Sequence, residues 1–251
     1  MKKVFIYIFV VIVLGGCTYA AIPIKNETLA KIDKVGIVSI IGNEFTYGYM
    51  GVTVFNNKVT LEEQELIDFD EKVEEILKTS IKTKLVNNPN PITVVDLNFD
   101  KEELIGSYKV DGKYKSFDIN LIANKLTVLA NQHGLKYLIV VTRGYNALAN
   151  GAGSTGGIGI SKTVHMPKDE VILHNYLDYK LFEVETQATP SFFSTSAMNF
   201  GQKREVQFPW KQPLSEYSDN EIDQLISLII EDLEYRVPWS VNYMLGWRKN
   251  S

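Results

Sequence analysis

Lys136-Tyr137-Leu138-Ile139-Val140-Val141-Thr142 (KYLIVVT) is the stretch on which the fold turns. An apolar run of this length, rich in β-branched residues and without polar alternation, reads as a strand covered on both faces. Just before it, Ile119, Ile122, Leu126 and Ala130 recur at helical spacing within a predicted helix from Asp118 to His133. Gly134 ends that helix, since it adopts the left-handed conformation of a helix stop at little cost. Further upstream, Ile92–Leu97 (ITVVDL) reads as a second strand, set off by the helix stop Asn88-Pro89-Asn90-Pro91. Before that stop, Val73, Ile76, Leu77, Ile81 and Leu85 form one face of a helix opened by Asp68 and Glu71 as a capping box. Val35–Ile41 (VGIVSII) is the first buried strand. The order strand–helix–strand–helix–strand implies a sheet clad by helices, with right-handed crossovers where strands are parallel.

Outside this unit, Tyr47–Phe55 and Lys58–Leu61 read as a hairpin turned at Asn56-Asn57. Gly159–Met166 and Val171–Thr186 read as two strands turned by Pro167-Lys168-Asp169-Glu170. After a loop-rich part with Pro190, Pro209 and Pro213, a last helix opens at the capping box Ser218/Glu221 and buries Ile222, Leu225, Ile226, Ile229 and Leu233. Pro238 is expected to bend or end it. The expected class is α/β (α+β mixed): a central mixed sheet with about three main helices, one domain over 34–251.

The N-terminus has a different character. Met1-Lys2-Lys3 is positive, and Val4–Leu14 is an unbroken apolar run too short to span a bilayer, which takes ~20 residues. It ends in Leu14-Gly15-Gly16-Cys17, which resembles the lipobox of bacterial lipoproteins. That resemblance implies cleavage between Gly16 and Cys17 and lipidation of Cys17. The expected organisation is then a signal peptide over 1–16, and a lipidated N-terminus and tether over 17–33. Thr18, rather than Asp, after the cysteine resembles cargo sent to the outer membrane, facing the periplasm. The partner so implied is the lipid bilayer, reached through acylated Cys17. Each buried CH₂ contributes about 0.8 kcal/mol, so two or three acyl chains hold where one is marginal.

Composition narrows the function. Cys17 is the sole cysteine, which excludes an internal disulfide and leaves no thiol for catalysis or metal. Apolar content of 45%, charged content of 22% and a net charge of −4 are ordinary for a globular chain. A mildly acidic protein is a poor nucleic-acid partner, because phosphate binding needs a basic face.

Several motifs invite chemistry. Gly151-Ala152-Gly153-Ser154-Thr155-Gly156 fits G-x-G-x-x-G, but the residues after it alternate like a strand, whereas the dinucleotide site needs a helix there. Gly156–Thr163 misses a phosphate-binding loop at Ser161, where the second glycine belongs. Ser154 lacks the first glycine of a nucleophile elbow. The stretch Gly144–Gly159 is better read as a loop between strands, with Gly144, Tyr145, Gly151, Gly153 and Gly156 as candidate binding residues. His165, His174 and Asp178 could share one sheet face as weak metal candidates, and His133 reads as a helix-end residue. Glu62, Glu63, Glu65, Asp68, Asp70 and Glu71 read as charge gathered before a helix N-terminus. Phe208, Trp210, Tyr217, Tyr235, Trp239, Tyr243 and Trp247 are expected to pack the last helix on the sheet, or to leave Trp239, Tyr243 and Trp247 facing a membrane or partner. No catalytic set and no cofactor is expected.

The element order, with KVGIVSII after the tether, PITVVDL, GLKYLIVVTRGY and YLDYKLFEVET, resembles a group of envelope lipoproteins that includes the curli secretion lipoprotein and the outer-membrane activator of penicillin-binding proteins. The resemblance implies a protein-binding or self-associating assembly module rather than an enzyme. The alternative is an envelope hydrolase or small-ligand binder with a cleft near residues 144–159.

Overall fold

The computed structural model describes residues 21–52, 57–85, 92–105, 109–111, 114–116, 118–147, 154–165, 168–195 and 203–246. The strands are β1 (Ala21–Ile22), β2 (Lys34–Ile40), β3 (Glu44–Val52), β4 (Asn57–Glu65), β5 (Thr93–Val95), β6 (Lys109–Asp111), β7 (Tyr114–Ser116), β8 (Tyr137–Arg143), β9 (Tyr145–Ala147), β10 (Ser154–His165), β11 (Lys168–Glu183), β12 (Ala188–Ser194) and β13 (Lys203–Glu205). The helices are α1 (Asn26–Leu29), α2 (Phe69–Leu85), α3 (Lys101–Ile105), α4 (Ala123–Gln132) and α5 (Asp219–Met244). The mixed α/β class is the one expected, and the main sheet runs β4-β3-β10-β11-β8-β2-β5.

The predicted unit β2-α2-β5-α4-β8 is present. β2 pairs parallel with β5 on one side and with β8 on the other. Because the chain leaves β2 for one edge and returns past it to β8, right-handed crossovers put the two helices on opposite faces. The burial pattern agrees. Ile37, Ile139 and Val141 pack with Val73, Leu77 and Ile81 of α2 and with Leu225, Ile229 and Leu233 of α5. Val38, Val140 and Phe182 face Leu126 and Ala130 of α4. All seven residues of β8 are buried, as a strand clad on both faces requires.

Beyond β8 the sheet turns antiparallel through the long strand β11, which pairs with β8, β10, β12 and β13. β10 then pairs parallel with β3, although more than a hundred residues separate them. The expected turn at Pro167–Glu170 is tighter than read: His165 already faces Lys168, so β11 begins at Lys168. Val52 already faces Asn57, so Asn57 opens β4 instead of belonging to the expected Asn56-Asn57 turn; Asn56 and the expected helix stop at 88–91 lie outside the described residues.

The Ser218/Glu221 capping box forms, and at the other helix start the Asp68 cap bond forms. Asp68 Oδ1 accepts from Glu71 N at 2.9 Å, and Glu221 Oε2 accepts from Ser218 N at 2.8 Å. Pro238 neither ends nor interrupts α5, which runs on to Met244. The lost N–H would have met the carbonyl of Glu234, an exposed residue whose carbonyl water can serve instead.

The expected tether over 17–33 is shorter than read. Ala21–Ile22 pairs with Phe193 and Phe192 of β12, and Ile24 N donates to Met244 O at 2.9 Å. Ile24 and Ile32 are buried, and their burial holds this segment on the domain.

Leu77 lies at the centre of the layer between sheet and α5, with no exposed surface. Leu77→Ala is expected to lower stability by about 2–5 kcal/mol through lost burial and a residual cavity. Urea denaturation should show a reduced midpoint with an unchanged slope.

Candidate functional site

In an open α/β sheet the natural ligand site is the crevice outside the carboxyl ends of the strands where the connections diverge to opposite faces. Here that place lies between the ends of β2 and β8. Arg143, the last residue of β8, occupies it. Its Nε donates to Ile41 O at 2.7 Å, one terminal nitrogen to Glu44 Oε2 at 2.7 Å and the other to Glu44 O at 2.5 Å. The guanidinium side chain is only 4% exposed. Gly157 lies against it at φ +63°, where an added Cβ would stand 3.3 Å from Arg143 Nε. A planar fork with donors in fixed directions suits this task, and a lysine ammonium would not. The crevice is therefore filled by the chain's own side chain.

Beside it, Asp70 in the first turn of α2 accepts from Ile41 N at 2.6 Å and Gly42 N at 2.9 Å. The buried carboxylate closes the end of β2 instead of waiting for a ligand. Glu74, one turn on, has its carboxyl pushed up by burial, opposed by Lys101 at 3.7 Å and by the N–H of Ser39. The cleft above these residues, about 300 Å³, is lined by Gly42, Glu65, Asp68, Asp70, Lys101 and Glu102. The acidic run expected to relieve its charge at one helix start is thus divided: Glu62, Glu63 and Glu65 lie on β4, Asp68 caps α2, and Asp70 serves β2. Among the described residues no group of three His, Cys, Asp or Glu side chains is arranged to hold a metal ion.

Among its described residues, 144–147 and 154–159, the glycine-rich stretch is mostly paired strand. Gly144 N donates to Tyr176 O at 2.8 Å, and Gly157 N to Gly144 O at 3.0 Å. Tyr145 faces Gly156 across a short antiparallel pairing of β9 with β10, and the carbonyl of Gly156 accepts from Thr46 Oγ1 at 3.0 Å. Of the five candidate binding residues, Gly144, Tyr145 and Gly156 are held in this hairpin, while Gly151 and Gly153 lie outside the described residues. After Gly156 the chain continues as β10 to His165, so the helix a dinucleotide site needs is not there.

His165, His174 and Asp178 do not converge. His174 faces Gly159 in the β10–β11 register, and His165 lies six residues further along β10, about 20 Å at strand rise. Asp178 is four residues from His174 in the other direction, about 13 Å. His174 is buried, stacked at 5.1 Å on Tyr176. Its ring lies over Gly159, where any Cβ would meet it and Thr46 O. His133 stands at the C-terminal cap of α4, as expected.

Asp178 has a separate environment. Burial pushes its carboxyl up, while Ser194 Oγ donates to it at 2.6 Å and Lys180 pulls the other way. Burial in turn draws the Lys180 ammonium down. A third polar set lies under α5, where Arg236 Nε meets both Asp232 oxygens at 2.7 and 2.8 Å. The sequence offered a sign of this pair: Asp232 and Arg236 fall one turn apart on an otherwise apolar helix face. Arg143 and Asp70 gave no such sign, because their partners lie far away in sequence.

The aromatic expectation holds in part. Trp210 stacks on Tyr47 at 4.4 Å, Tyr47 and Tyr217 share a hydroxyl contact of 2.9 Å, and Phe208 stacks on Tyr217 at 5.3 Å. Trp239 and Tyr243 contact Phe193 at 5.3 and 5.0 Å and remain partly exposed, and Tyr235 is 74% exposed. Gly16, Cys17 and Trp247 lie outside the described residues.

No protein-family model matches the chain, and no curated protein matches it. Among solved structures it is similar to the PelC dodecamer from Paraburkholderia phytofirmans, at 11% identity and a TM-score of 0.32, covering 86% of this chain and 92% of that one. It is also similar to a neuraminyllactose-binding hemagglutinin homolog from Helicobacter pylori, at 9% identity and a TM-score of 0.32, covering 90% and 91%. Likenesses this slight leave the functional reading to the chain's own residues.

Arg143→Met strands the buried carbonyl of Ile41 and removes the partner of Glu44, and should cost about 1–3 kcal/mol in chemical denaturation. Arg143→Lys should not restore it, since one ammonium cannot span three acceptors. Glu44→Gln should cost less than about 1 kcal/mol, because the Glu44 side chain is 44% exposed and its charge is screened.

For Asp178 the folded carboxyl lies above its unfolded value, so the burial cost is fully present above the folded value and vanishes as pH falls to the unfolded one. Asp178→Asn should therefore raise the melting temperature at neutral pH, and the advantage should shrink on acidification. An advantage that grows as pH falls would contradict this.

Proposed function

We propose that the protein is a bacterial envelope lipoprotein, held on a membrane by acylated Cys17, whose domain acts by binding another envelope component or further copies of itself. The observation that carries the non-catalytic half of this reading is the Arg143 plug. The crevice where α/β enzymes gather their substrates is filled by a guanidinium with three protein acceptors. Opening it would leave the buried carbonyl of Ile41 without its donor and Glu44 without its ion-pair partner, which makes it a poor substrate entrance.

The anchoring half is supported by the leader itself. A positive start, an apolar run of sub-membrane length and the sequence Leu14-Gly15-Gly16-Cys17 occur in the order that export and lipidation require. No described helix is long and apolar enough to cross a membrane, so attachment in this reading falls to the acyl chains. With Thr18 after the cysteine, the outer membrane is the proposed location.

In-cell crosslinking followed by mass spectrometry is expected to recover one reproducible envelope neighbour, or the chain itself, and Cys17→Ala is expected to release the domain from membranes or leave an unprocessed precursor. Recovery of no specific neighbour would point instead to a small-ligand or catalytic role. A folded Cys17→Ala chain that stays on membranes as firmly as before would overturn the anchor.

A further inference from the structure

The end of the chain nearest the proposed anchor is fastened with little slack. Ile24 N donates to Met244 O at 2.9 Å, and Ser191 Oγ stands 2.8 Å from Ile22 O and 3.0 Å from Met244 O. Ser191 is fully buried, so the bonds are shielded from water. Ala21 and Ile22 are paired in the sheet edge. Four Cα–Cα steps lead from Cys17 to Ala21, a reach of at most about 14 Å even when fully extended. The interfacial layer of a bilayer is itself roughly 5–8 Å deep on each side. A domain tied this closely stays within about 10 Å of the headgroups, with one of its faces turned to them.

What lies at that edge fits an interface. On α5, Tyr235, Trp239 and Tyr243 fall at successive four-residue steps, which places them in one stripe along the helix. Trp239 and Tyr243 turn their inner sides to Phe193 and to each other, with ring centroids 5.3, 5.0 and 6.0 Å apart, and keep an outer side at the surface. Tyr235 is 74% exposed. Ile22 on the edge strand is 44% exposed. One turn beyond Tyr235, away from the anchor, the stripe meets the exposed pair Glu231–Arg204 at 3.1 Å. The helix surface is thus aromatic beside the attachment point and charged further off. Trp and Tyr are the residues that favour the headgroup level, with an apolar ring and a polar tip.

We propose that the edge formed by β1 and the C-terminal half of α5, carrying Ile22, Tyr235, Trp239 and Tyr243, is seated in the interface of the bilayer that holds Cys17, and so fixes the domain's orientation. This rests on the lipoprotein reading and adds to it a defined lipid-facing surface. The opposite side of the domain, with the cleft beside Asp70, is then turned away from Cys17 and left open to a partner.

The test uses the full chain, produced in bacteria with its own leader and purified with its anchor. It is reconstituted in vesicles of phosphatidylethanolamine and phosphatidylglycerol containing phosphatidylcholine brominated along its acyl chains. Flotation reports the anchor, and bromine quenching of tryptophan emission reports the face. In W210F/W247F, Trp239 is the only emitter and is expected to lose a large part of its emission in brominated vesicles. In W239F/W247F, Trp210, stacked on Tyr47, is expected to lose little. Should the double variants fail to fold, W239F alone is compared with the native chain and is expected to remove much of the quenchable emission. Flotation without quenching of Trp239 would overturn the seating while leaving the anchor standing. Failure to float would overturn the anchor, and the seating with it.

Discussion

The guanidinium of Arg143 joins two halves of the sheet that are built on different rules. On one side, β2, β5 and β8 are parallel and linked through helices. On the other, β3, β4, β10 and β11 are joined by hairpins and by a parallel pairing that no crossover helix provides. The connection from β2 into β3 and the entry to the glycine-rich hairpin must both pass the end of β8. Arg143 satisfies Ile41 O and Glu44 O on the first, while Gly157 on the second lies against its side chain. Without a donor in that position the two halves would meet at a buried, unserved carbonyl on Ile41, a penalty of about 1–3 kcal/mol. With it, the same place that could have been a substrate crevice becomes a structural joint.

The ionisable groups with displaced titration follow the same physics. Glu74, Asp178 and Asp232 are all pushed up first by burial and only then modified by charged or hydroxyl neighbours. In an enzyme such groups would point together into one cavity. Here each belongs to a different packing layer: Glu74 faces Ser39 and Lys101, Asp178 faces Ser194, and Asp232 is held by Arg236 beneath α5. Glu221 goes the other way, held down at about 2 by Lys211 and the Ser218 end of α5. Among the described residues these groups are thus spread over separate packing layers, each bonded within its own.

The two ends of the domain give that scaffold a direction. α5 spans one sheet face, and its C-terminal end is tied to the chain's entry at Ile22–Ile24 by buried hydrogen bonds. In the proposed anchoring, attachment at one corner and an aromatic stripe along the adjoining helix would constrain tilt as well as distance. A partner would then meet only the surfaces that the membrane leaves open.

Local sequence determined the parts whose stabilising interactions are local. Helical spacing of apolar residues marked α2, α4 and α5; carboxylates three residues from the cap marked two helix starts; unbroken β-branched runs marked β2 and β8. The proposed lipidation site at Cys17 likewise rests on contiguous residues. Tertiary structure alone decided the rest: that β10 lies beside β3, that the glycine-rich stretch pairs as a hairpin, that α5 runs through Pro238, and that Asp70 and Arg143 close the crevice. The β3–β10 pairing and the bonds of Asp70 and Arg143 depend on groups separated by tens to more than a hundred residues. Periodicity records which face of an element is buried, but not which distant carbonyl will be left in need of a donor once the elements pack.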